Sequence, residues 1–233
     1  ARPRPEFRCR TGRSAQKLLG DFFVGLASVR AFHFLRELIN LQAEILIMYG
    51  LLFEDVYTVT EKGCHLNTHC ANVGLYNMVY GIQKKMEFDE IRDLGFGGML
   101  IEVGMTLVPQ KILDKQESLS PEEFKEIRKH PSLGRSILLD AKCCNSRVLR
   151  IVGEHHEKFN GEGYPGGFSD KKIFPLAKIC SIMDVFDALT SERPYHKPVS
   201  PMEAFALMND EMAGSFDNEI LFNFMGLLGA LVE

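Results

Sequence analysis

Two adjacent histidines, His155 and His156, open the stretch of this chain that is best suited to chemistry. A carboxylate follows at Glu157, and then a turn rich in glycine and proline, so that residues 155–167 read HHEKFNGEGYPGG. Imidazole nitrogens are common metal ligands, and glycines let the backbone bend close to a bound molecule. A histidine pair alone does not make a metal site, so its function depends on partners elsewhere in the chain.

Candidate partners occur at spacings that place them together on helices. His65 and His69 are four residues apart, which puts both imidazoles on one helix face within reach of a shared ion. Asp184 and Asp187 are three residues apart, so their carboxylates also face the same way. The remaining candidates are one histidine and one carboxylate, His130 and Glu102. Mixed imidazole and carboxylate ligands without thiolates fit a dinuclear site in a helical bundle better than a zinc finger.

The elements that must position these residues are predicted to be helices throughout. Apolar residues recur with the helical period between 14 and 52, and again between 60 and 80 and between 88 and 104. Ser120 and Ser200 each begin a capping box, followed by proline at the first helical position. We expect a break from Pro109 to Leu113, and a helix that ends near His130. No strand or repeat is evident, so the predicted fold class is all-α.

The chain divides into two predicted parts. Residues 1–55 form an N-terminal helical segment, interpreted as a packing or dimerisation element or as the end of a truncated regulatory domain. Residues 56–233 carry every candidate ligand and form the main domain. The N-terminal helices are therefore the predicted surface for a homodimer or another protein partner.

Composition excludes several classes of function. The chain has 233 residues, is 45% hydrophobic and 25% charged, and carries a net charge of −4. This balance argues against a protein that coats nucleic acid, so no DNA partner is expected. The apolar runs fall short of the ~20 residues that a membrane span needs. Six cysteines without a CxxC pair or a secretory pattern indicate reduced thiols and a cytoplasmic protein.

Four segments resemble the HD-GYP domain family. Residues 155–195, which contain HHEKFNGEGYPGG and AKICSIMDVFDALTSERPY, are similar to its signature half. EEFKEIRKHPSLGRSIL (122–138), VPQKILDK (108–115) and HCANVG (69–74) match in kind, and the resemblance covers roughly residues 60–225. The family comprises bacterial phosphodiesterases of cyclic di-GMP. The resemblance implies an HD-fold helical bundle with two divalent ions, iron first, with manganese or zinc as alternatives.

The resemblance also implies the ligand sets and the substrate contacts. One ion would be held by His69, Glu102 and Asp184, with His65 as a further ligand. The other would be held by His130, His155 and His156, with Glu102 bridging. The residues expected at the substrate are Gly163, Tyr164, Pro165, Arg193 and Lys197. Asp187 is the catalytic candidate, and it would either order the ligands or handle a leaving-group proton.

The chain departs from the family in its HD half. Where the family has its His-Asp pair, this chain has Ile101 and Glu102, so that one ligand is lost and the bridging carboxylate is longer. The family lysine three residues later is Met105, and the family arginine after the first histidine is Asn72. His65 would fill the coordination gap left by Ile101.

The implied activity is hydrolysis of cyclic di-GMP to pGpG or GMP. In this mechanism a hydroxide shared by two ions, about 3.5–4 Å apart, attacks phosphorus in line. The alternative is a catalytically impaired module that binds metal and nucleotide and passes a signal to a partner, because Ile101 and Met105 remove a ligand and a cation. Two further hypotheses remain, an HD-type phosphohydrolase for another nucleotide and a helical interaction module with a vestigial site.

Overall fold

A computed structural model describes residues 29–50, 57, 66–115, 117–192 and 197–229, with backbone alone for 29–35, 49 and 67. This part of the chain contains ten α-helices. They are α1 Val29–Tyr49, α2 Leu66–Gln83, α3 Phe88–Leu100, α4 Gln110–Leu113, α5 Pro121–Ile127, α6 His130–Ala141, α7 Ser146–Glu154, α8 Pro175–Thr190, α9 Pro201–Ala206 and α10 Asn218–Leu227. The described residues hold no strand, only an isolated bridge between Asn160 and Ser169. The predicted all-α class is confirmed.

Two sequence-predicted helix starts are confirmed in detail. Ser120 accepts a hydrogen bond from the Glu123 amide while the Glu123 side chain accepts one from the Ser120 amide. Ser200 and Glu203 form the same reciprocal pair at the start of α9. Each capping box satisfies two backbone donors that the first helical turn leaves without partners.

Two predicted boundaries are wrong. The break expected from Pro109 to Leu113 contains the short helix α4, which begins directly after Pro109. The helix expected to end near His130 ends at Ile127, and His130 is the first residue of α6. Proline explains the second error, since Pro131 lies in the first turn of α6, where a missing N–H breaks no helical hydrogen bond.

Helix α8 packs against α2, α3, α7, α9 and α10 and forms the centre of the bundle. Its Phe186 is fully buried, with ring centroids 6.0 Å from Tyr76 of α2 and 4.9 Å from Phe224 of α10. Helix α3 contacts α1, α2, α7 and α8. Residues at the end of α3 and inside α8 are therefore held in the interior of the molecule.

Helix α1 has two different faces. Ile39, Ala43 and Leu46 are buried, and the helix packs against α3. The opposite face exposes four apolar side chains at helical spacing, Leu38, Leu41, Ile45 and Met48. None of the described helices is long and apolar enough to cross a membrane.

A close backbone contact fixes the turn that follows α3. Gly104 lies in the 3-10 turn Val103–Leu107, and a Cβ at this position would collide with the His130 carbonyl oxygen and the Gly134 amide of α6. Both obstacles are backbone atoms, so no side chain can move aside. The contact therefore holds the turn containing Gly104 against the helix that starts at His130.

Replacing Gly104 by alanine is expected to lower the free energy of unfolding by about 2–4 kcal/mol, because two backbone segments must separate. Urea unfolding measures this change. Gly226→Ala in α10 is the matched control, since a Cβ there meets nothing within 4 Å. That control should gain about 0.5–1 kcal/mol from the lower flexibility of the unfolded chain. Similar small effects of the two variants would contradict the prediction.

Candidate metal centre

Two overlapping groups of metal-ligating side chains meet inside the bundle. The first contains His69, Glu102 and Asp184, and the second contains Glu102, His130, His155 and His156. Within each group the ligand atoms lie within 4.8 Å of one another. Glu102 belongs to both, so the two groups contain the same described residues as the two sets that the family resemblance implies; His65, the further ligand of the first set, lies outside the described residues.

Five segments of the chain supply these side chains. His69 lies in α2 and Asp184 in α8. Glu102 follows α3 and precedes the 3-10 turn, while His130 begins α6. His155 is the C-terminal cap of α7, and His156 follows it. Contacts among α2, α3, α7 and α8 bring together residues that are up to 115 positions apart in the chain.

Glu102 has the environment of a ligand whose partner is a cation. Its side chain is 0% exposed, and neither carboxylate oxygen has a hydrogen-bond partner among the described residues. The nearest charged-group contact is His130 Nε2, at 3.8 Å from Oε2. Burying a carboxylate without hydrogen bonds costs several kcal/mol unless an opposite charge compensates. The residues present therefore fit a pair of divalent ions.

The Nε2 atoms of His130 and His155 face each other. Their Nδ1–H groups donate to the carbonyl oxygens of Ile127 and Val152, each at 2.8 Å. Because Nδ1 carries the proton in a neutral ring, Nε2 carries a lone pair. The two Nε2 atoms are 3.2 Å apart. Two facing lone pairs at this distance are stabilised by a cation that both can ligate.

The histidine pair is held in its neutral form. Burial lowers the pKa of His155 well below its usual value, and the neighbouring His130 lowers it further. Burial likewise lowers the pKa of His156, with His155 as the next contributor. A metal ion binds the unprotonated imidazole, so this low pKa prepares both rings to act as ligands at neutral pH.

Asp187 lies behind His69. The His69 ring contacts Asp184 Oδ1 through Nε2 at 3.0 Å and Asp187 Oδ2 through Nδ1 at 2.7 Å. The other Asp187 oxygen accepts hydrogen bonds from Asn72 at 2.8 Å and Ser191 at 3.1 Å. A carboxylate in this arrangement fixes the orientation of the ring whose opposite nitrogen faces the site. The geometry supports an ordering role for Asp187, the first of its two predicted roles.

Asp187→Asn is expected to weaken metal binding by the first group about 10–100-fold. The asparagine amide must turn its NH₂ group toward a donor that Asp187 now satisfies, which tilts His69 or Asn72. Competition with a chelating dye measures the affinity, and Asp89→Asn, at an exposed ion pair with Arg92, serves as control. Full turnover at saturating metal would mark a positioning residue. Unchanged affinity with lower turnover at saturation would instead favour the leaving-group role.

The glycine-rich turn of residues 161–167, called the GYP turn below, folds back over the histidine pair. Glu157 is 3% exposed and accepts hydrogen bonds from the amides of Gly166 at 2.5 Å and Phe168 at 2.8 Å. Burial raises the pKa of Glu157, while these amide donors oppose the rise. Gly163 packs so closely against the backbone of residues 157 and 158 that a Cβ would collide with it. The predicted substrate residue Gly163 thus also has a packing role.

Glu157→Gln is expected to raise the KM for the substrate about 10-fold with little change in metal content. The glutamine amide can accept only one of the two backbone N–H bonds, so the turn carrying Tyr164 loosens. Initial rates over a range of substrate concentrations measure the change. Glu162→Gln, at an exposed position in the same turn, should behave like the unmodified protein. A loss of bound metal in Glu157→Gln would show that the residue supports His156 instead.

Tyr164 forms one wall of the centre. Its amide donates to the His156 carbonyl at 3.1 Å, and its ring lies 4.7 Å from the His156 ring. The Arg128 guanidinium lies over the same ring, 4.4 Å from its centroid. Arg128 is not among the predicted site residues, although it lies in segment 122–138, because nothing in the spacing distinguishes it from Lys125 and Lys129.

Four other predicted site residues have different outcomes. His65 and Arg193 lie outside the described residues. Lys197 and Pro165 are described and exposed. Asn72 stands where the family has arginine, and the sequence did not indicate what it contributes. In the structure it is buried and donates a hydrogen bond to Asp187.

Comparison with known proteins identifies the class to which this fold and centre belong. A sequence profile of the HD domain family matches residues 59–220. The match spans more than half of the chain, and the protein therefore belongs to the HD domain family.

Curated relatives carry more specific names. A cyclic di-GMP phosphodiesterase of Pseudomonas aeruginosa is 33% identical over 164 residues, covering 70% of this chain and 39% of that protein. A cyclic di-GMP phosphodiesterase of Thermotoga maritima is 32% identical over 152 residues, covering 63% and 40%. A 3'3'-cGAMP-specific phosphodiesterase 3 of Vibrio cholerae is 29% identical over 161 residues, covering 69% and 35%. The chain thus spans about 40% of the length of these relatives.

A solved structure shows the same fold. An HDG"Y"P protein from Bdellovibrio bacteriovorus superimposes with a TM-score of 0.74 at 20% identity, covering 92% of this chain and 69% of that one. The HD domain profile and the named relatives confirm the predicted family, and this neighbour shows that the fold agrees.

Proposed function

We propose that this chain is a metal-dependent phosphodiesterase that hydrolyses cyclic di-GMP to linear pGpG or GMP. The observation that carries the proposal is the position of Glu102, fully buried and shared between two groups of imidazole and carboxylate ligands. Paired divalent ions are suited to in-line displacement at phosphorus. The names of the relatives, for cyclic di-GMP and 3'3'-cGAMP, support a cyclic dinucleotide as the substrate class.

The proposed cofactor is two divalent ions, iron first, with manganese or zinc as alternatives. Imidazole and carboxylate ligands suit all three metals. His69, Glu102 and Asp184 would hold one ion, with His65 as a further ligand, and the second would be held by Glu102 and the three histidines of the other group. Bound ions supply Lewis acidity toward a water molecule and toward a phosphate oxygen.

The protein residues have separate parts in this proposal. Glu102 would be a ligand of both ions, and Asp187 would keep His69 in its ligating orientation. Gly163, Tyr164 and Pro165 would contact the dinucleotide from the GYP side, where the Tyr164 ring covers His156. Arg193 and Lys197 would bind a phosphate oxygen.

The test is to load the protein anaerobically with Fe²⁺, Mn²⁺ or Zn²⁺ and to separate pGpG and GMP from cyclic di-GMP by ion-exchange chromatography. We expect product with at least one metal and none after chelation. His155→Gln, which keeps the side-chain volume but loses the Nε2 ligand, should lower turnover at least about 1000-fold. Absence of product with all three metals would refute the proposal.

The proposed domain division assigns residues 56–233 to the HD-GYP domain and residues 1–55 to an N-terminal helical segment. The packing of α1 on α3 and its exposed apolar face support a role for this segment in contacting a second copy or another protein. The concentration dependence of the sedimentation coefficient tests this role, with Leu41→Lys expected to favour the smaller species.

A further inference from the structure

We propose that Arg128 binds a phosphate oxygen of the cyclic dinucleotide at the mouth of the metal centre. The inference deepens the proposed function and rests on it. Arg128 caps the C-terminus of α5, two residues before the candidate ligand His130. Its guanidinium lies 4.4 Å from the centroid of Tyr164, whose ring in turn lies 4.7 Å from that of His156. The Tyr164 ring therefore lies between the Arg128 guanidinium and the candidate ligand His156.

The charge of Arg128 is not used by the fold. The neighbouring Lys129 pairs with Glu126 at 2.6 Å, and Arg150 pairs with Glu154 at 2.6 Å. Arg128, by contrast, makes no ion pair with a carboxylate in the described part of the chain. Its contacts are with the faces of Tyr164 and of Phe124, the latter at 5.9 Å. Stacking on aromatic rings orients a guanidinium while leaving its N–H groups free to bind an anion in their plane.

The charge of the candidate ligand groups indicates what Arg128 would bind. These groups contain two carboxylates, Glu102 and Asp184, which are fully buried and are both candidate ligands of the ions. A phosphodiester that reaches the ions past Tyr164 brings its negative oxygens toward the guanidinium. Arginine binds two oxygens of a phosphate through parallel N–H bonds, which a lysine cannot reproduce.

The turn that follows Glu102 brings no positive charge to the centre. It has the sequence VGMTL, and its Met105 is apolar and 6% exposed. A site that binds a dianionic substrate then needs positive charge from another element. Arg128 supplies it from α5, on the side of the centre covered by Tyr164.

Binding of cyclic di-GMP tests the proposal independently of turnover. Isothermal titration of the Mn²⁺-loaded protein, compared with Arg128→Gln, should show a Kd about 10–100-fold higher in the variant, the usual effect of losing a charge-assisted hydrogen bond. Arg128→Lys keeps the charge and should lie between the two. Lys129→Gln removes the adjacent cation and should leave the Kd within about twofold. Equal metal content and unfolding midpoints establish that the variants are folded.

A double-variant cycle separates direct binding from support of Tyr164. If Arg128 contacts the phosphate, Arg128→Gln weakens binding in a Tyr164→Leu background as well. If the substitution has no effect in that background, Arg128 acts only by holding the ring, and the inference is overturned. An unchanged Kd in Arg128→Gln alone overturns it too, while the proposed function stands. Failure of the unmodified protein to bind cyclic di-GMP would instead refute the proposed function, and the inference with it.

Discussion

Replacing Glu102 by methionine is expected to abolish stable binding of both ions and to lower turnover at least about 1000-fold, while making the metal-free protein more stable. The opposite signs have one cause. Glu102 is fully buried, and its carboxylate has no hydrogen-bond partner among the described residues. Methionine has a similar length and no polar group to desolvate, so the metal-free protein should gain about 1–3 kcal/mol.

Two measurements check the Glu102 prediction. Urea unfolding in chelator gives the stability of the metal-free proteins, and elemental analysis after loading and desalting gives the number of ions. Glu126→Gln is the control, since it alters an exposed ion pair that contributes little. The prediction fails if Glu102→Met retains two ions, or if the metal-free variant is less stable than the unmodified protein.

Replacing Ile101 by histidine is expected to tighten metal binding by the first group about 100-fold. Ile101 is 0% exposed and directly precedes Glu102. The first described group has three candidate ligands and the second has four. We therefore expect the native chain to lose the ion of the first group at the lower chelator concentration. A buried imidazole at position 101 would add the missing ligand.

The control for this substitution is Ile101→Asn, which buries a polar group at the same position without an imidazole. Both variants should lose stability in chelator, because a buried polar group lacks a partner. Only Ile101→His should regain this lost stability when metal is added. If the native chain loses both ions at the same chelator concentration, the residue at position 101 does not limit the metal affinity of the first group. A large rise in turnover of Ile101→His at saturating metal would favour the catalytically impaired alternative for the native chain.

The candidate ligands stand out in the sequence because their chemistry is local. His155 and His156 stand beside a glycine-rich turn, and the spacing of Asp184 and Asp187 already places both on one face of α8. Capping boxes at Ser120 and Ser200 fixed two helix starts, because both partners lie within four residues. The grouping of the ligands came from the family resemblance rather than from spacing.

What the sequence could not predict depends on packing between distant segments. Asn72 reaches Asp187 across 115 positions, and no pattern in the sequence joins them. Arg128 differs from its neighbouring cations only through its stacking on Tyr164, which requires the GYP turn to be folded. The contact between Gly104 and the backbone of α6 is similar, since a glycine shows no partner until two segments are brought together.

The burial of the centre has a consequence for the rate at which ions exchange. His69, Glu102, Asp184 and His155 are at most 1% exposed, whereas the His156 side chain is 11% exposed and lies beneath Tyr164. We therefore expect an ion held by this group to leave past Tyr164, which requires the turn that carries Tyr164 to move. Release should then be slow, so that the metal present when the chain folds, rather than the metal most abundant later, decides which ion the protein carries.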